Sequence, residues 1–267
     1  MKSSKKAWRT SAIVLGFAAC AIAAPAIASH SWNNYHWKRT TAEISPPVGD
    51  NVSAVWDSYL NVAIADWNQS TVINSPKVAG SSSPRQCRAV AGTIQVCNER
   101  YGQNGWLGIA SIWLRSDGHI SQGTTKLNDT YFNMAQYNTP SWRALVTCQE
   151  IGHDYGLGHQ DENFSTDNTN SCMDYTNLPA GNEHPDAHDY QQLLSIYNHM
   201  ESAAMTFGGS SPSTSESGDT PADWGRPIHY TADGRPDVYM KMEGQGRKIT
   251  HVFWAIGEGP RGKPHAD

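Results

Sequence analysis

The sequence predicts an α+β fold, on three observations. Val52, Trp56, Tyr59, Ala63 and Trp67 recur at helical spacing. Between residues 72 and 128 the chain turns β-rich, notably at Thr93 to Cys97 and Leu107 to Leu114. Helical spacing then returns after Thr139-Pro140 and again at Tyr190, Leu193, Leu194 and Tyr197.

At 267 residues the chain is long enough for one good-sized core and an appendage. It opens with Lys2, Lys5, Lys6 and Arg9, an apolar run from Ala12 to Ala24, and Ala26-Ile27-Ala28. This is the pattern of a secretory signal peptide over residues 1–28, cut after Ala28. The run is short and ends at Pro25, which argues against a membrane span. Lipoprotein processing at Cys20 is the alternative, although Phe17 fits that cleavage box poorly. A secreted, extracellular protein is expected, without a membrane partner in its mature form.

The whole chain carries 20 basic and 25 acidic residues, and the leader removes four of the basic ones. The mature net charge of about −9 speaks against nucleic acid as a partner. Four cysteines remain: Cys87, Cys97, Cys148 and Cys172. In an oxidising compartment they suggest two disulfides, with three pairings open on arithmetic alone.

The elements follow in order. Asp50 and Asn51 are candidate caps for the first helix, whose aromatic stripe reads as core. Ser116-Asp117-Gly118 is a turn leading to His119, which reads as a surface histidine of a hairpin. Thr139 is a good N-cap, with proline at the first helical position. Residues Glu162 to Asn170 form a polar loop best explained by turn chemistry. A last helix starts near Asp186, and His184, His188 and His199 flank it as solvated histidines. Gly, Ser, Thr and Pro dominate a flexible linker at 208–221. Beyond it, 222–267 reads as a small β-rich extension with turns at Asp233-Gly234 and Gly244-Gln245-Gly246.

The chemistry concentrates in Gln149-Glu150-Ile151-Gly152-His153-Asp154-Tyr155-Gly156-Leu157-Gly158-His159. This is the long zinc signature H-E-x-x-H-x-x-G-x-x-H with glutamine in place of the first histidine. On a helix, positions 149 and 153 share a face and converge on one ion. Glu150 stands beside them as a candidate general base. Gly156 can take a positive φ, so the helix stops and His159 arrives from outside it.

This segment resembles the active-site helix of the metzincin zinc metallopeptidases, the clan of matrixins, astacins, serralysins and snapalysin-like proteases. Ser171-Cys172-Met173-Asp174-Tyr175 resembles the clan's S-x-M-x-Y Met-turn. The resemblance covers the middle of the chain, and residues 50 to 200 more loosely. It implies a metzincin-like zincin fold at 29–207, a twisted mixed β-sheet with an active-site helix and a C-terminal helix. It implies a zinc cofactor held by Gln149, His153 and His159, with Met173 as an apolar floor. Glu150 would be the general base for a metal-activated water, and Tyr175 would donate to the oxyanion.

The pairing Cys148–Cys172 would tie the active-site helix to the Met-turn, leaving the local pair Cys87–Cys97. The resemblance also implies that the strand before the active-site helix pairs with substrate backbone, and Gly123 to Asn128 is the candidate for that edge. The expected function is a secreted zinc-dependent endopeptidase, monomeric, acting on protein or peptide. Glutamine at 149 is a poorer zinc ligand than histidine. Asp161 is an alternative oxygen donor, and a catalytically inactive protein-binding module is the alternative function.

Overall fold

The computed structural model describes residues 30–162, 169–202 and 218–261. The leader at 1–28, residues 163–168 of the polar loop and residues 208–217 of the linker lie outside them.

The described residues form a mixed α/β structure on one nine-stranded sheet, in the order β3-β2-β4-β6-β5-β9-β8-β7, with β1 paired to the start of β6. β1 (His36–Trp37), β2 (Val48–Asn51), β3 (Lys77–Ala79), β4 (Ile94–Glu99) and β6 (His119–Asn128) pair in parallel. β5 (Trp106–Leu114) runs antiparallel to β6 and is buried at every residue. Burial on both faces explains why it reads as a continuous apolar run rather than an alternating one. β7 (Arg226–Tyr230), β8 (Pro236–Glu243) and β9 (Gly246–Trp254) continue the sheet in antiparallel order, so the C-terminal β residues join the main sheet through β5.

The first helix, α1, runs Asp57–Trp67, and Leu60, Ala63, Ile64 and Trp67 face inward. The expectation that Asp50 and Asn51 cap it is corrected, because both lie in β2. Asn51 gives its amide to Gln95 (2.9 Å), and the residue before the helix is Trp56, which makes no side-chain cap. After a short α2 (Asp129–Phe132), α3 spans Pro140–Asp154. The Thr139 hydroxyl accepts from Trp142 N at its start, as the sequence indicated. α3 packs on β5, β6 and α1, and Trp67 Nε1 donates to the carbonyl of Cys148 (3.0 Å). α4 (Ala187–Ile196) opens with a capping box between Asp186 and Asp189. A four-residue α5 (Pro221–Trp224) precedes β7.

Gly123 to Asn128 is not an edge. These residues sit in β6 between β4 and β5. The β5–β6 hairpin folds β5 to the outside, and β9 then takes the outer side of β5.

Candidate metal centre

α3 carries the motif into the interior, and almost all of it from Trp142 to Asp154 is buried. A helix this deep carries polar side chains that its neighbours satisfy only in part. Gly156 takes φ +95° and ends the helix, in a place where a Cβ would stand 2.1 Å from the Tyr35 carbonyl oxygen. The turn carries Leu157 back so that its carbonyl accepts from His153 Nδ1 (2.8 Å). That bond fixes the tautomer and leaves Nε2 of His153 with its lone pair outward, the form a metal needs.

His159 arrives after the turn. Its ring stands perpendicular to that of His153, with centroids 4.7 Å apart. Burial holds His153 down at about 4, and burial with neighbouring imidazoles holds His159 well below the ordinary histidine range. Both rings are therefore neutral and available as ligands at physiological pH. The Tyr175 ring lies against His159 (3.9 Å), and its hydroxyl donates to the Val252 carbonyl in β9 (2.9 Å).

Gln149 is fully buried beside the turn at Ser171 to Tyr175. Its amide nitrogen donates to the carbonyls of Cys172 (2.7 Å) and Asp174 (3.0 Å), while Oε1 is buried without a hydrogen-bond partner. Glu150 is also fully buried, packed towards β5, where a Cβ on Gly108 would meet its Oε1 at 2.7 Å. Neither carboxylate oxygen has a well-formed hydrogen bond. Burial, then the charge of Asp154, holds Glu150 well above the usual carboxylate range, against the pull of the Ala110 backbone. Asp154, one turn on, accepts from the Thr125 hydroxyl (2.8 Å) and packs against Gly123.

Met173 is fully buried against the helix, where a Cβ on Gly152 would come 2.5 Å from its sulfur. The disulfide Cys148–Cys172 ties that turn to α3, and Cys87–Cys97 closes the local loop. The Asp161 backbone bridges Asp174, fixing the turn from the other side.

Two residues of the site escaped sequence reasoning, both from the C-terminal strands. His251 in β9 stacks face to face on His153 (4.0 Å, 16°), with both ring nitrogens buried and unpartnered. Asp237 in β8 holds Oδ2 3.7 Å from His159 Nδ1 and accepts from His229 at Oδ1 (2.8 Å). A lone histidine and a lone aspartate in short β-like runs give no sequence signal. Only the pairing of Ala110 with His251 and of Val238 with His251 brings them in.

His153 and His159 offer imidazoles of the kind zinc takes, edge to face with centroids 4.7 Å apart. Among the described residues, the carboxylates that bring oxygen atoms within 4.8 Å of His159's ligand nitrogen and of each other are those of Glu162 and Asp237.

No protein-family model matches the chain. A stretch of 103 residues is 33% identical to mouse CD44 antigen, over 35% of this chain and 12% of that protein's length. Among solved structures, high choriolytic enzyme 1, a hatching-enzyme zinc protease from medaka fish (Oryzias latipes), is similar over 61% of this chain and 94% of that one. The identity is 14% and the TM-score 0.35.

Proposed function

We propose that the chain is a secreted zinc-dependent endopeptidase in which His153 and His159 hold the metal and Glu150 is the general base. One observation carries this reading. The two motif imidazoles stand edge to face with centroids 4.7 Å apart, and His153, its tautomer fixed by Leu157, lies on the helix that also bears Glu150. The orphaned Oε1 of Gln149 is the third donor of the motif. Zinc, when bound, polarises a peptide carbonyl and lowers the pKa of a water.

The chain's own residues supply the rest. Burial holds the Glu150 carboxyl well above the usual range, and a bound cation beside it would draw it down to where it takes a proton from that water and passes it to the leaving amine. Met173 and the disulfide at Cys172 hold the floor of the site rigid. Tyr175 reaches the oxyanion when its hydroxyl leaves the Val252 carbonyl.

A second reading, a non-catalytic protein-binding module on the same scaffold, is favoured by the pairing of β5 with β9, which fills the edge where an extended peptide would lie. The Glu150→Ala variant separates the two. Under the peptidase reading it retains zinc and loses peptide cleavage, as the parent protein does under chelation. Partner capture untouched by chelator or by Glu150→Ala, with no cleavage by the parent protein, establishes the binding module instead.

A further inference from the structure

Away from the motif, four side chains converge from distant parts of the chain: His36, His119, His199 and Glu201. The start of the sheet sets the first pair. β1 lies parallel to β6 with His36 directly opposite His119. The tail after α4 supplies the other two. Glu201 N donates to the Arg39 carbonyl (2.8 Å), and Arg39 N donates back to Glu201 Oε2 (2.7 Å). Oε2 is thereby spoken for, and Oε1 is aimed at the histidines.

All three imidazoles turn Nε2 towards that oxygen. Glu201 Oε1 lies 3.5 Å from His36 Nε2 and 3.7 Å from His199 Nε2, and it is in short contact with His119 Nε2. The Nε2 atoms of His36 and His199 are 3.2 Å apart. Bonds of about 2.0–2.1 Å at the tetrahedral angle put the ligand atoms of zinc about 3.3 Å apart. Ligand atoms of His36, His119 and Glu201 all lie within 4.8 Å of one another, and His199 Nε2 stands within 3.7 Å of two of them. The His36 ring is nearly perpendicular to those of His119 and His199 (77° and 82°), so the lone pairs converge instead of running parallel.

The opposite ring nitrogens of His36 and His119 each stand near an oxygen. His36 Nδ1 donates to the Asn34 carbonyl (2.7 Å), which leaves Nε2 as a bare lone pair. His119 Nδ1 stands 3.1 Å from Oδ1 of Asp117, the carboxylate–histidine arrangement that orients metal ligands. These nitrogens and Glu201 Oε1 are within hydrogen-bond reach of one another, and a divalent cation would take the place of the shared protons on the same lone pairs. The side chains are 12–43% exposed, so an ion can enter from solvent.

We propose a second metal site here, a zinc ion held by Nε2 of His36, His119 and His199 and by Oε1 of Glu201. Three imidazoles and one carboxylate form a borderline N₃O set that suits zinc and leaves little room for calcium. Its role is to fasten the N-terminal segment to the β5–β6 hairpin and to the chain leaving α4. It shares no residue with the motif, so it stands whether or not the chain is a peptidase.

The test is elemental analysis and cobalt(II) absorption on the untagged full-length chain, in a His153→Ala/His159→Ala background that disables the motif site. About one zinc per chain is expected to survive dialysis there, with cobalt giving the intense visible bands of four-coordinate geometry. His199→Ala, an exposed position, and the near-isosteric Glu201→Gln should each weaken zinc binding by about a hundredfold. That lies at the upper end of the about 10–100-fold cost of losing an outer partner. Should the background variant fold poorly, His199→Ala in the otherwise unaltered chain should remove one equivalent of zinc. Zinc content indifferent to both His199→Ala and Glu201→Gln overturns the site, as does a folded background variant that binds neither metal. Either result would leave the three histidines as hydrogen-bonding partners of Glu201 and of one another.

Discussion

The hydroxyl of Tyr175, at the end of the Met-turn-like loop, donates to the backbone carbonyl of Val252 in β9, 2.9 Å away. Through that bond, and through β9 pairing with β5 from Trp106 to Leu114, the last strand closes over the site. A peptide adding to β5 must displace β9, since a strand edge accepts one partner. Ser111 and Thr250 face each other across this pair, with hydroxyl oxygens 3.1 Å apart. A Ser111→Cys/Thr250→Cys disulfide should therefore lock the edge. The oxidised double variant should lose peptide cleavage while both single variants keep it. Cleavage that survives the crosslink would place the peptide elsewhere.

Gln149 and His251 compete for the role of third donor. Gln149 has its amide nitrogen anchored to two carbonyls and Oε1 free, while His251 has both nitrogens free but lies flat on His153. Parallel stacked rings do not aim their lone pairs at one point, so His251 must tilt to ligate. In a His199→Ala background, Gln149→His should raise zinc affinity at least about tenfold, imidazole being the better zinc ligand. His251→Gln should leave that affinity within about threefold if the strand histidine only packs, whereas a fall beyond about tenfold would make it a ligand. Competition against a zinc-binding dye measures both.

Gly156 is the conformational hinge of the motif. Alanine there meets two penalties: φ of +95° and a Cβ 2.1 Å from the Tyr35 carbonyl oxygen. Backbone strain and overpacking of this kind each cost about 1–3 kcal/mol. Gly156→Ala should lose about 3 kcal/mol or more in chemical denaturation and displace His159. A loss under about 1 kcal/mol would show that the turn relaxes.

His30 gives the stability a pH slope. Its Nδ1 donates to the Gly158 carbonyl (3.2 Å), and burial lowers its pKa from 6.5 to about 4. A histidine held below its unfolded value contributes stability that is present above pH 6.5 and is lost as pH falls towards 4. At pH 5 the unfolded chain gains about 2 kcal/mol from protonating this residue, at about 1.4 kcal/mol per pH unit. Asp189, 3.6 Å from His30 and raised by burial to about 7, slopes the other way and loses its contribution as pH rises. Between pH 7 and pH 5, His30→Gln should therefore lose about 2 kcal/mol less stability than the parent protein in urea titrations. Parallel pH curves for the two proteins would refute a neutral buried His30.

The sequence by itself determined the parts whose rule is local. Thr139-Pro140 starts a helix and Gly156 stops it, so the face of α3 bearing Gln149 and His153 follows from spacing. The capping box at Asp186 marks α4 in the same way. The tertiary structure decided everything that depends on which strands become neighbours. β5 meets β9 about 140 residues later in the chain, and that register alone sets His251 over His153 and turns the supposed substrate edge at Gly123 to Asn128 into a central strand. His119 and His199 read as surface or solvated histidines in sequence, and only the docking of β1 on β6 and of Glu201 on Arg39 brings them together with His36. Helical neighbours are fixed by a period of 3.6 residues, whereas strand neighbours are chosen by the burial of whole faces, which no local window contains.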